Sequence, residues 1–125
     1  MSAGIWLLVG IAIGLAVLMG FQALLARQTQ AAVGREVPAS GPLAEAEGRL
    51  VWFHSPTCAP CRAMHRDVAA LGDRVIEVDV SQRPDLARTF GVMATPTTVR
   101  VKDGRVAAAR AGRIGRDQLE AMLAL

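Results

Sequence analysis

Apolar residues run along this chain in two unlike patterns. From Ile5 to Ala26 they are nearly unbroken: 22 residues with only Gln22 polar and no charge. As a helix this run would be about 33 Å long, enough to cross a hydrocarbon core of about 30 Å. Trp6 and Phe21 lie near its ends, where aromatic rings favour the interface. Gly10 and Gly14 form one Gly-x-x-x-Gly, which reads as small-residue filler more than as a helix-pairing face. The leading Met1-Ser2-Ala3-Gly4 has no basic side chain and the apolar core is long, so residues 1–27 read as an uncleaved transmembrane anchor and not as a signal peptide. Arg27 and Arg35 flank the far side, which by the positive-inside rule puts the rest of the chain in the cytoplasm.

The second pattern begins at residue 49. Before it, residues 28–48 are rich in Ala, Gly, Pro, Gln and Glu and read as a flexible linker, helical at most around Leu43 to Glu47. Leu50 to Phe53 is a short apolar run suited to a buried strand, broken by Ser55-Pro56-Thr57. Cys58 to Leu71 repeats apolar residues at helical spacing through Cys61, Met64, Val68 and Leu71, and Gly72 stops it. Arg74 to Val80 predicts a second strand and Pro84 to Phe90 a short helix with proline in its first turn. Thr97 to Val101 and Arg105 to Ala111 predict two strands joined by an Asp103-Gly104 turn, and Asp117 to Leu125 a closing amphipathic helix. The order, βαβ, α, ββ, α, defines one α/β domain over 49–125. That is small for a single core, so marginal stability is expected.

Charge changes the picture little. Of 14 basic residues 13 are arginine, scattered singly, and the net charge is +3. No basic run is interleaved with aromatics, which argues against a nucleic-acid partner.

The candidate chemistry lies at Cys58-Ala59-Pro60-Cys61, which holds the only two cysteines. At a helix N-terminus, unpaired N–H groups and the helix dipole favour negative charge, so Cys58 is the expected thiolate nucleophile. Cys61, one turn later, is the expected resolving thiol. An inert staple is the bland alternative, but so short a loop constrains the unfolded chain little. Thr95-Pro96 is a second candidate, a backbone edge for an extended substrate if its peptide is cis; spacing alone favours trans. His54 and His65 frame the cysteines, so a metal-binding or metal-delivery module using Cys58, Cys61, His54 and His65 is an alternative of another class. Alternatively, an imidazolium at His54 would stabilise the Cys58 thiolate. No phosphate-cradling glycine loop and no Gly-x-Ser-x-Gly is present. Arg62 stands where a haem attachment site needs histidine.

Taken together, Val51 to Leu123 resembles thioredoxin. The matching pieces are the strand before the cysteines, Cys58-Ala59-Pro60-Cys61-Arg62, Val78-Asp79-Val80, Phe90 to Thr97 with its Thr95-Pro96, and Lys102-Asp103-Gly104. The resemblance implies a minimal thioredoxin-like fold behind one transmembrane helix, a cis Pro96, and a substrate edge at Thr95, Pro96 and Gly112. It implies a thiol–disulfide oxidoreductase with the Cys58–Cys61 pair as its redox centre and no other cofactor, protein disulfides or dithiols as partners, and an upstream thiol donor. Pro60 resembles the reducing members. Tethered thioredoxins imply an extracytoplasmic domain, against the charge rule above. A non-catalytic assembly factor could use the same fold. Three departures stand out: the usual first strand and helix are missing or replaced by the linker, Thr57 stands where the family has tryptophan, and Trp52 stands where it has a buried aspartate. Glu77, on the next strand, is the candidate to supply that missing carboxylate.

Overall fold

The computed structural model describes residues 2–38 and 41–125, without the side chain of Thr29. Met1, Ala39 and Ser40, assigned above to the anchor and linker, lie outside the described residues. The chain runs α1 (Ser2–Gln30), a 3-10 turn at Gly41–Leu43, β1 (Leu50–His54), α2 (Ala59–Leu71), β2 (Val75–Asp79), α3 (Pro84–Thr89), β3 (Thr97–Lys102), β4 (Arg105–Ala111) and α4 (Arg116–Leu123). The expected elements are all present, with ends shifted by one or two residues, as fraying termini allow.

The strands form one sheet in the order β2-β1-β3-β4. β1 runs parallel to β2 and antiparallel to β3, and β3 pairs antiparallel with β4. β1 is central and buried on both faces, which is why its apolar run is continuous and not alternating. Leu50 and Trp52 join Cys61, Met64 and Val68 of α2 and Leu119 and Met122 of α4 on one face. Val51 and Phe53 join Leu86 and Phe90 on the other, the two phenyl rings 5.4 Å apart.

The segment read as a flexible linker is packed where it is described. Ala32, Leu43 and Ala46 are buried in the second core layer. Residues 34–37 lie along the free edge of β4: Gly34 N–H donates to Val106 O (2.8 Å), Val106 N–H to Arg35 O (3.0 Å), and Val37 N–H to Gly104 O (2.9 Å). An open strand edge has unpaired backbone groups, and this segment satisfies several of them. The helical stretch expected around Leu43 to Glu47 is the single turn Gly41–Leu43. Ser2 to Gln28 of α1 is apolar and long enough to cross a membrane, and its most apolar stretch is not buried against the domain.

Candidate active site

β1 delivers the chain to the site, and the Ser55-Pro56-Thr57 turn reverses it into α2. Cys58 is the N-cap of α2, in extended conformation (φ −89°, ψ 108°). Its Sγ accepts the N–H of Cys61 at 3.1 Å, one of the donors a helix start leaves unpaired. Pro60 falls within the first turn, where its missing N–H has no helical partner to lose. The two sulfurs are joined in a disulfide with Cα atoms 5.2 Å apart, within the span such a bond requires. Their exposure differs. Cys58 is half-buried, whereas Cys61 is 3% exposed and packs in the core. Only the first sulfur is open to a macromolecular partner.

The loop from β1 to α2 is braced locally. Ser55 and Thr57 hydroxyls lie 3.2 Å apart and Arg62 Nη1 donates to Pro56 O at 3.3 Å. Across from it, the Thr95–Pro96 peptide is cis, as the resemblance implies. Thr97 Oγ1 donates to Ala94 O (2.7 Å) and Gly112 N–H to Pro96 O (2.8 Å), which ties this loop to the end of β4. Gly112 has φ +85°, a region side chains avoid, and is exposed with open space around its Cα. A groove of about 420 Å³ runs from Ser55 past Val80, Ala87 and Arg88 to Met93 and Thr95. Sequence reasoning missed its α3 wall, since these residues have no local signature.

Around the cysteines, Trp52 is 2% exposed and its ring stacks on His54, centroids 4.7 Å apart and planes at 21°. Trp52, His54, Cys61 and His65 line one small cleft. His54 also lies beside Asp79, its partner in register on β2. The Asp79 carboxyl is held below its usual range, first by the Ser81 hydroxyl (2.6 Å), then by the Ser81 N–H (2.9 Å), with the charge of His54 a smaller contribution. Glu77 meets His65, Oε1 to Nδ1 at 4.0 Å, on the exposed edge of β2. The metal-binding alternative is not assembled: among the described residues no three His, Cys, Asp or Glu side chains gather into a possible ion site. His65 turns to Glu77 and His54 to Trp52, because one rides a helix and the other ends a strand.

Comparison with known proteins agrees with this geometry. The sequence model of the thioredoxin family matches residues 41–124. Thioredoxin of Rhodospirillum rubrum is 33% identical over 73 residues, covering 54% of this chain and 70% of that protein. A prophage-derived thioredoxin-like protein of Bacillus subtilis (strain 168) is 34% identical over 55 residues, covering 44% and 69%. Against a thioredoxin of Arabidopsis thaliana, 36% identical over 61 residues, the match spans 46% of that protein's length. Among solved structures, Fasciola hepatica thioredoxin superposes with a TM-score of 0.58 at 31% identity, covering 66% of this chain and 85% of that one. The chain therefore belongs to the thioredoxin family and carries, in its Cys58–Cys61 disulfide, the equipment of a thiol–disulfide oxidoreductase.

Proposed function

We propose that this protein reduces disulfides in partner proteins from a membrane anchor formed by α1. The observation that carries the reading is the asymmetry of the pair: an accessible sulfur at a helix N-cap, already accepting a backbone N–H, with a buried sulfur one turn behind it. In the dithiol form the same N–H and the helix dipole favour a thiolate at Cys58. That thiolate attacks one sulfur of the partner's disulfide, and the partner's other sulfur leaves as a thiolate and takes a proton. Cys61 then displaces the partner from Cys58 and closes the Cys58–Cys61 bond. Two electrons pass to the partner, and an upstream dithiol donor restores the pair. No cofactor beyond the cysteines is needed. Thr95, Pro96 and Gly112 hold the partner's extended chain beside Cys58. His54, when protonated, adds a positive charge near the sulfurs. What supports His54 over Glu77 as the tuning group is that His54 shares a cleft with Cys61, whereas Glu77 lies on the exposed sheet edge, 4.0 Å from His65. The reducing direction follows the likeness of Pro60 to reducing members, and the anchor follows the exposed apolar surface of α1.

A trapping experiment tests this reading. Cys61→Ser should accumulate covalent mixed disulfides with partner proteins that dithiothreitol releases, and Cys58→Ser should accumulate none. The wild-type chain in detergent should catalyse insulin reduction by dithiothreitol. An untouched insulin substrate together with no trapped adducts would leave a scaffold on a redox fold and remove the enzymatic reading.

A further inference from the structure

We propose that the redox end of the domain faces the bilayer, so that the disulfide it acts on sits at the membrane surface, close to the end of a partner's own membrane span. This rests on the reading of α1 as a span and of Cys58–Cys61 as the working pair, and adds where the substrate must be. The key observation is that α1 does not stop where its apolar run stops. It continues through Arg27 to Gln30, whose Nε2 donates to Ala109 O at 3.2 Å. Five residues earlier, Leu25 lines a small cavity with Ala32, Met93, Ala94 and both Ala109 and Ala111, so the helix end lies against this end of β4. From Leu25 to Gln30 a helix rises about 7.5 Å. From Ala111 back to Ala109 a strand covers about 7 Å. The last turn of α1 thus lies along the end of β4 and runs antiparallel to it.

Past the helix the chain keeps this direction. Gly34 and Arg35 bond to Val106, and Val37 bonds to Gly104. The polypeptide therefore enters the domain at the Ala111 end of β4 and travels toward the hairpin tip. The apolar residues before Leu25 extend off the Ala111 end. Strand register carries that end across the sheet: Ala111 pairs with Thr97, and Thr97 with Phe53, the residue before His54. Pro96 precedes Thr97, and Gly112 N–H bonds to Pro96 O. Cys58, Pro96 and Gly112 consequently gather at the end from which the span departs. The hairpin tip, six residues back along β4, is about 20 Å farther from the membrane.

The joint is bolted. Arg35 Nη1 donates to Thr89 O at 2.8 Å, and a Cβ added at Gly91 would lie 3.3 Å from that same nitrogen. Ala32 is 3% exposed beneath it. The surface at this end also suits the bilayer boundary: Met93, 68% exposed, is apolar, and Arg27 and Arg113 are exposed cations that anionic headgroups attract. A disulfide presented from a soluble protein reaches this site only from the side. One held a few residues beyond a membrane span is delivered into the gap between the domain and the lipid.

The test uses the full chain in phosphatidylcholine vesicles with dithiothreitol as electron source. Two single-span peptides serve as substrates, one with its disulfide loop next to the span and one carrying it on a spacer of roughly 25 Gly/Ser residues. Above the rate with dithiothreitol alone, the near disulfide is expected to be reduced about tenfold faster than the far one at equal surface density. Inserting about ten Gly/Ser residues between Arg27 and Gln28 frees the domain to turn and should bring the ratio to about one, with insulin reduction retained. Equal wild-type rates on the two peptides would overturn the inference, as would a ratio that survives the insertion. The wild-type ratio decides even if the insertion variant folds poorly. Insulin left unreduced by the wild-type chain would instead remove the oxidoreductase reading, and failure of the chain to float with vesicles would remove the span, and the inference would fall with either.

Discussion

Trp52 stands where the resemblance to thioredoxin implies a buried carboxylate. Its indole fills the space beside Cys61 and stacks on His54. Its Nε1–H is buried and has no hydrogen-bond partner among the described residues. The ring therefore stabilises through packing, while its unpaired donor carries a desolvation cost in the disulfide form. Trp52→Ala is expected to destabilise the domain by about 3–5 kcal/mol, the range for deleting a large buried aromatic. Trp52→Phe should lose clearly less, because it keeps a ring against His54 and gives up an N–H that bonds to nothing. Urea denaturation of both variants checks this, and equal losses would mean that the indole N–H is engaged after all. The substitution itself is visible in the sequence once the family is recognised. Its consequence is not, because nothing local says that a histidine two residues on will stack on the indole.

Among the elements, the β3–β4 hairpin illustrates how far sequence signals reach. Asp103-Gly104 announces the turn, and both residues adopt positive φ, 55° and 71°. What holds the turn is a carboxylate 56 residues away. Glu47 Oε1 accepts Asp103 N–H at 2.6 Å and Oε2 accepts Gly104 N–H at 2.8 Å. Those bonds, Gly104 first, hold the Glu47 carboxyl below its usual value of 4.5. A carboxyl that is more acidic in the folded state stabilises the fold above its unfolded value and loses that contribution as pH falls through the folded one. Glu47→Gln should therefore lower stability at neutral pH. The gap to wild type should close as pH falls below the usual value of 4.5 and through the lowered folded one, read as denaturation midpoints at a series of acidic pH values. A gap independent of pH would show that the ionised clamp is not what matters. Strands and helices whose side chains repeat at period 2 or 3.6 are legible, as α2 is from Cys61, Met64, Val68 and Leu71. The cysteine pair is legible because two reactive groups and a helix start coincide in four residues. Glu47 and the α3 wall of the groove are not, because each acts across the fold on backbone or surface that carries no local pattern.

At the scale of the whole molecule the departure from expectation is the segment between α1 and the domain. Its composition is that of a tether, and its buried residues, Ala32, Leu43 and Ala46, are too few and too unevenly spaced for any periodicity to mark them. Yet it covers the β4 edge, sends Ala32, Leu43 and Ala46 into the core, and fixes the direction in which α1 leaves. For a domain too small to bury a generous core this supplement matters. The match to the thioredoxin family covers residues 41–124, so residues 28–38 lie outside the matched part of the chain. Replacing 28–38 by Gly/Ser of equal length removes the side-chain bonds from Gln30 to Ala109 O and from Arg35 to Thr89 O, each worth about 0.5–1.5 kcal/mol net, together with the burial of Ala32. A loss of about 2–4 kcal/mol is expected by denaturation of the full chain in detergent. Ala32→Glu, which drives a charge into the same core layer, should reproduce much of it without touching the backbone pairing. If both variants match wild type, the segment is the loose tether its composition suggests, and the fixed angle between span and domain has no physical support. If both lose stability, the segment is a packed part of the domain and not a tether.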